Sequence, residues 1–191
     1  MSKVMRFYLM FSLLLCSVGC SGTTLTDSID PQSARAYVID SSIGSLEGVR
    51  VGMTEDELMD LAYDKSRGLV NLEGDEYLEV QVNLGGDVFV DCLFHDSELY
   101  QFSTVSRLVQ DENGLGVGAT LLQLKEKYPN GRLLVGDEDG RFASFLSGSK
   151  VLFFLGKDGF DDLCFDAQAQ ECEYNDRKVT VEKVIVSKHG S

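Results

Sequence analysis

The sequence predicts an α+β protein made of two tandem units, each a short helix packed on an antiparallel sheet. Three observations lead there. One stretch occurs twice: Gly48-Val49-Arg50-Val51-Gly52-Met53-Thr54-Glu55-Asp56-Glu57-Leu58 and, 66 residues on, Gly114-Leu115-Gly116-Val117-Gly118-Ala119-Thr120-Leu121-Leu122-Gln123-Leu124. Each copy turns from extended chain into a helix, with Thr54 and Thr120 as N-caps and Glu57 and Gln123 three residues later completing a capping box. Each helix is followed by short segments of alternating polarity, the mark of an antiparallel sheet with one wet face. One helix on one face of such a sheet is an α+β layer.

Taken in order, Ala36 to Ile43 reads as the first strand and Gly48 to Gly52 as an extended turn. The first helix should run from Thr54 to about Lys65, burying a stripe of Leu58, Leu61, Ala62 and the stem of Lys65. Glu55, Asp56 and Glu57 lie in its first turn, where the helix dipole favours negative charge. Leu69 to Leu72 is a short strand. Glu76 to Leu84 places Leu78, Val80, Val82 and Leu84 inward and Glu79, Gln81 and Asn83 outward. Gly85-Gly86-Asp87 is a hairpin turn, Val88 to Phe94 the next strand, and Leu99 to Val109 a long strand closing the first unit. The second unit turns at Asn113-Gly114. Its helix is Thr120 to Tyr128, stopped by Pro129-Asn130-Gly131. Strands follow at Leu133 to Val135, Phe142 to Leu146, Val151 to Leu155 and Val179 to Val186, with a hairpin tip at Asp137-Glu138-Asp139-Gly140. The expected units are 36–103 and 104–191, the second carrying a cysteine loop. Two repeats of this size are tandem halves, not a solenoid.

Residues 1–19 read as a signal peptide. Lys3 and Arg6 form a basic n-region, and Phe7 to Leu15 an apolar segment too short for an ordinary spanning helix. Ser17-Val18-Gly19-Cys20 resembles the lipobox of bacterial lipoproteins, departing from it at Ser17, where Leu is usual. The resemblance implies cleavage before Cys20 and lipidation of its thiol and new amino terminus. Ser21 in place of Asp then implies the outer membrane of a Gram-negative host, facing the periplasm. An ordinary secretory signal, or an uncleaved anchor with Cys20 incidental, is the alternative. Residues 20–35 are small, polar and aperiodic, a flexible tether.

The chain has a formal charge of −14, with 17 basic and 31 acidic residues. Losing Lys3 and Arg6 with the signal peptide makes it −16. A nucleic-acid partner is disfavoured by that balance, since phosphate binding needs a basic face, and so is docking on anionic lipid. In an oxidising envelope, Cys164 and Cys172 are expected to bond across the polar loop between them. Cys92 shares the alternating face of Val88, Val90 and Phe94 and reads as a buried small apolar residue.

The doubled Gly-x-x-Val-Gly-Met/Ala-Thr-x3-Leu motif, opening a short helix before a meander, is similar to the small envelope lipoproteins of the SmpA/OmlA (BamE) type. It is also similar to the β-lactamase-inhibitor-protein-like fold, which doubles such a unit. The second unit resembles a group of envelope-stress-regulated lipoproteins. These resemblances imply a protein-binding or envelope-assembly module, not an enzyme, with no cofactor and with another envelope protein as partner.

The other motifs with chemical meaning carry less. Gly114-x-Gly116-x-Gly118 before a helix has the look of a dinucleotide loop, but the first copy has Arg50 where Gly116 stands and the sheet pattern is antiparallel. Asp158, Asp161, Asp162 and Asp166 could hold calcium, although a dedicated loop's D-x-D-x-D-G spacing is missing; a solvated turn beside a disulfide is the alternative. This cluster, or a cleft between the halves, supports a second function, a periplasmic binder of calcium or a small ligand. His95, with Asp96 and Ser97 beside it, lies on an outward strand face, and no Gly-x-Ser-x-Gly elbow is present. Tyr77, Phe89 and Leu93 are apolar on a nominally outer face, a candidate patch for a partner; cover by the neighbouring half or by a loop is the alternative.

Overall fold

The structure, a computed structural model, describes residues 36–72, 74–136, 142–166 and 172–189. The expected signal peptide, Cys20, the expected tether, the expected tip at Asp137–Gly140 and most of the cysteine loop lie outside the described residues. Residues 34–191 form one compact unit.

The first copy of the motif follows β1 (Tyr37–Ile39) and spans the small pair β2 (Ser45–Leu46) and β3 (Val49–Arg50) before α1 (Glu55–Met59). Four strands come next: β4 (Asp64–Leu72), β5 (Asp75–Gly85), β6 (Val88–His95) and β7 (Glu98–Thr104). After β8 (Val109–Asp111) the second copy leads to α2 (Leu121–Lys127), and then to β9 (Arg132–Gly136), β10 (Phe142–Leu146), β11 (Val151–Leu155) and β12 (Val181–Ser187).

Two tandem helix-on-sheet units are not what forms. The dominant element is one continuous antiparallel sheet of eight strands in the order β4-β5-β6-β7-β12-β11-β10-β9. The join is β7 to β12, with Thr104 opposite Val184 and Gln101 opposite Ser187. The helices are minor, five and seven residues, so the protein is mostly β. The physical reason is at the join. β7 and β12 would each be a bare edge of a four-stranded sheet, and pairing them satisfies both rows of backbone groups at once.

The first helix is half its expected length. After Asp60 the chain bends, and Lys65 lies in β4. Its ammonium returns to the helix end, donating to the carbonyls of Met59 (3.2 Å), Tyr63 (3.0 Å) and Leu61. Lys65 therefore acts from a strand on the last helical carbonyl, that of Met59, and on two carbonyls of the bend that follows. Strand β4 correspondingly begins eight residues after Asp56, well before Leu69. The long strand expected over Leu99 to Val109 breaks at Val105–Leu108, and β8 leaves the sheet to run parallel with β1.

Both capping boxes are present. Thr54 Oγ1 accepts from Glu57 N and Thr120 Oγ1 from Gln123 N, at 3.3 Å in each copy. The two motifs also dock alike. Gly52 N donates to Leu99 O and Leu99 N to Met53 O; Gly118 N donates to Val181 O and Val181 N to Ala119 O. Each copy is thus sewn to the last strand of the four that follow it, and Gly52 and Gly118 share a left-handed φ of 84° and 92°, which favours glycine.

The core lies between one sheet face and the layer of short elements. Val80, Val82, Val90, Cys92, Phe102, Phe153, Phe145 and Val184 face it from the sheet; Ile39, Val49, Leu58, Val109, Leu121 and Leu124 face it from above. Tyr128 at the end of α2 packs on Phe145 and Phe153, with ring centroids 6.4 and 6.0 Å away.

Candidate functional site

The strand registers place Tyr77, Phe89 and Leu93 on the face opposite that core. Glu79 pairs with Leu93 and Asn83 with Phe89, so Tyr77 and Glu79 on β5 share a face with Phe89, Asp91, Leu93 and His95 on β6. Gln101 opposite Leu93 continues the face onto β7, and Ile185 and Lys183 continue it onto β12. Leu152, Phe154 and Leu134 extend it to the far edge. Among the described residues this face supplies no member of the core cluster. It carries exposed large apolar groups all the same, among them Leu72, Phe89, Tyr100 and Leu134.

Its three sequence-predicted residues end up in different places. Phe89 is 42% exposed, on the solvent side of β6. Tyr77 is half-buried at one end of the sheet. Leu93 is only 9% exposed, shielded by its neighbours on the face, so it forms a floor. Tyr77 and Leu93 share a shallow cavity of about 360 Å³ with Leu72, His95, Tyr100 and Gln101. Phe89 lines a separate hollow with Asp64, Ser66, Gln81 and Asn83.

Sequence reasoning missed the row of rings that crosses this cavity. Tyr77, His95, Tyr100 and His189 follow one another at centroid distances of 5.7, 6.1 and 5.8 Å. The chain has two histidines, and both stand in this row. No local pattern joins residues 77 and 189; only the pairing of the strands does. His95 Nε2 is 3.5 Å from Asp96 Oδ2. Beside the row, partial burial raises the Glu79 carboxyl above its ordinary value, Asp91 adds to the shift, and Lys183 opposes it. Rings in such a row offer flat apolar surface with polar rims, suited to a partner's side chains.

The glycine loop is explained without a phosphate. It borders a hollow of about 250 Å³ with Arg107 alongside, but the first backbone amides of α2 are already used. Leu121 N donates to Val179 O, Leu122 N to Asp176 O and Gln123 N to Thr120 Oγ1. No helix-start amide is left to cradle an anion. Gly116 is pressed on the backbone of Val109, where a Cβ would meet the carbonyl oxygen at 2.2 Å.

Cys164 and Cys172 form a disulfide, with Cα atoms 4.4 Å apart. Asp161 Oδ1 accepts from Leu163 N and caps the 3-10 turn Asp162–Phe165. Asp158 and Asp166 are exposed on either side. Among the described residues no three His, Cys, Asp or Glu side chains converge on a point where a metal could sit, so the acidic cluster is dispersed along the turn. Cys92 is fully buried, and burial with the charges of Asp91 and Glu79 pushes its thiol far above the ordinary value.

Fold and face together define a single antiparallel sheet with one face covered and the other open among the described residues. The chain is similar to a solved structure, the uncharacterized protein yfeY from Escherichia coli, with a TM-score of 0.53 at 13% identity, over 80% of this chain and 100% of that one. At that identity the likeness is one of fold. No family model matches the chain, and no curated protein matches it.

Proposed function

We propose that this is an outer-membrane lipoprotein, held by lipid on Cys20 and facing the periplasm, that binds another envelope protein without catalysing a reaction. The binding part rests on one observation: the open sheet face, with its ring row and its exposed Leu72, Phe89 and Tyr100. Apolar groups spread over one face and absent from the core point to a protein partner. The motif's resemblance to SmpA/OmlA (BamE)-type lipoproteins supports the same reading, as does the lipobox-like Ser17-Val18-Gly19-Cys20 for the anchor.

The test is cross-linking and pull-down of the full chain from native membranes, beside the variant Phe89→Ser/Tyr100→Ser. Both positions lie outside the core cluster, and a thermal melt beside the parent checks that the variant is folded. One enriched envelope protein, lost in the variant, supports the reading; an unchanged capture profile sinks the face as the site. Labelling with radioactive palmitate tests the anchor separately. Incorporation that persists in Cys20→Ala removes Cys20 as the lipidated residue.

A further inference from the structure

We propose that β4 is a strand-addition site for an extended, lysine- or arginine-bearing segment of the partner protein. The proposal rests on the protein-binding reading and adds a second surface with its own chemistry.

Strand β4 is an outer edge of the eight-stranded sheet. It pairs with β5 over nine consecutive positions, Asp64–Asn83 to Leu72–Asp75, with no bulge, and contains no proline. Edge strands are normally guarded by charges, bulges, proline or a covering element. This one carries three charged side chains: Asp64 is exposed at its first position, and the two cations are engaged with α1 and the bend after it. Lys65 is spent on the carbonyls at the end of α1, and Arg67 pairs with Glu55 of α1 at 2.9 Å. Beyond Arg67 the strand is open on both faces: Gly68, Asn71 and Leu72 are exposed, and Leu69 is 66% exposed. The other edge, β9, is shorter at five residues and mostly half-buried.

Charge selects the occupant. Between Glu55 and Glu79 the sequence has nine acidic and two basic residues, and the two basic ones are Lys65 and Arg67. Half of the net charge of −14 is thus carried by the stretch of chain that contains this edge. A second copy would bring the same acidic stretch against itself, which like-charge repulsion opposes. A basic strand would be drawn in by the field and held by main-chain hydrogen bonds, its alternate side chains meeting the surface on either side. Val70 stands opposite Tyr77, and Leu72 lines the ring cavity, so an added strand would extend the open face.

The experiment uses the full chain in detergent and a nine-residue peptide alternating lysine and valine. Its controls are the same peptide N-methylated at alternate residues, with charge kept and ladder donors removed, and a glutamate–valine peptide. The expected result is that the lysine peptide binds about tenfold tighter than either control, a difference of about 1.4 kcal/mol, and slows amide exchange across residues 64–72. Leu69→Lys, an exposed change, should weaken that binding several-fold, while Phe89→Ser/Tyr100→Ser should leave it intact. The proposal is overturned if the N-methylated peptide binds equally, if no peptide binds, or if the chain alone dimerises through β4 and Leu69→Lys abolishes the dimer. Loss of binding only in the Phe89→Ser/Tyr100→Ser variant would place the site on the sheet face instead, leaving the protein-binding reading standing.

Discussion

Gly116→Ala tests whether packing, not ligand binding, explains the glycine loop. A Cβ at that position would lie 2.2 Å from Val109 O, 3.2 Å from Val109 C and 3.3 Å from Gln110 Cα. All three are backbone atoms, so no side chain can swing aside. Val109 is held on its other flank by β1, opposite Tyr37, and Asp111 N donates to Leu115 O across the turn. Relief therefore requires the chain on one side to move by about 1 Å, with overpacking costs of roughly 1–3 kcal/mol. For a protein of this size each kcal/mol lowers Tm by roughly 2–4 °C, so a fall of several degrees is expected in a thermal melt followed by circular dichroism. Gly68→Ala is the control, since its Cβ meets nothing within 4 Å, and its Tm should hold or rise. If Gly116→Ala melts with the wild type, the packing account is wrong. ATP should leave both curves unmoved; stabilisation by ATP would return the loop to ligand binding.

Three further outcomes are expected. Replacing Cys164 and Cys172 by Ser should cost roughly 2–3 kcal/mol on the chain-entropy model for so short a loop; intact mass of non-reduced protein should show one bond, and a free-thiol mass contradicts the assignment. Cys92 should resist iodoacetamide at pH 8 until the protein is unfolded, because its thiolate is strongly disfavoured where it lies; fast native labelling would contradict its burial. Glu79 is held above the ordinary carboxylate value of 4.5, so the folded state binds its proton more tightly than the unfolded one. Its favourable contribution is present below that value and is lost as pH rises through the folded value. Glu79→Gln should then raise Tm at pH 7 and change it less at pH 4; a larger gain at pH 4 refutes the sign.

The sequence was most readable where interactions are local or one face is dry. The capping boxes depend on residues three apart, and both formed as read. The alternation from Glu76 to Leu84 and from Val88 to Phe94 gave the correct strands, because the inward side chains are the ones the core removes from water. It failed where a distant group decides. The stripe Leu58, Leu61, Ala62 and Lys65 fits a longer helix; the chain instead spends Lys65 on carbonyls at and just past the end of a short one. Phe89 and Leu93 look equivalent by parity, yet one is exposed and the other shielded by its neighbours.

By itself the sequence determined the strands of clean alternation, Glu76 to Leu84 and Val88 to Phe94, the doubled capped turn, the burial of Cys92 and the pairing of Cys164 with Cys172. These rest on local hydrogen bonds, on alternation and on short loop closure. Only the tertiary structure decided that eight strands make one sheet, that four rings from three strands and the turn after β12 line up, and that β4 remains a bare edge among the described residues. Each depends on which strand lies beside which, and the β7–β12 pairing joins residues some 80 positions apart, such as Thr104 and Val184. Backbone hydrogen bonding is nearly the same for every strand pair, so the choice of neighbour is made by the whole core closing at once.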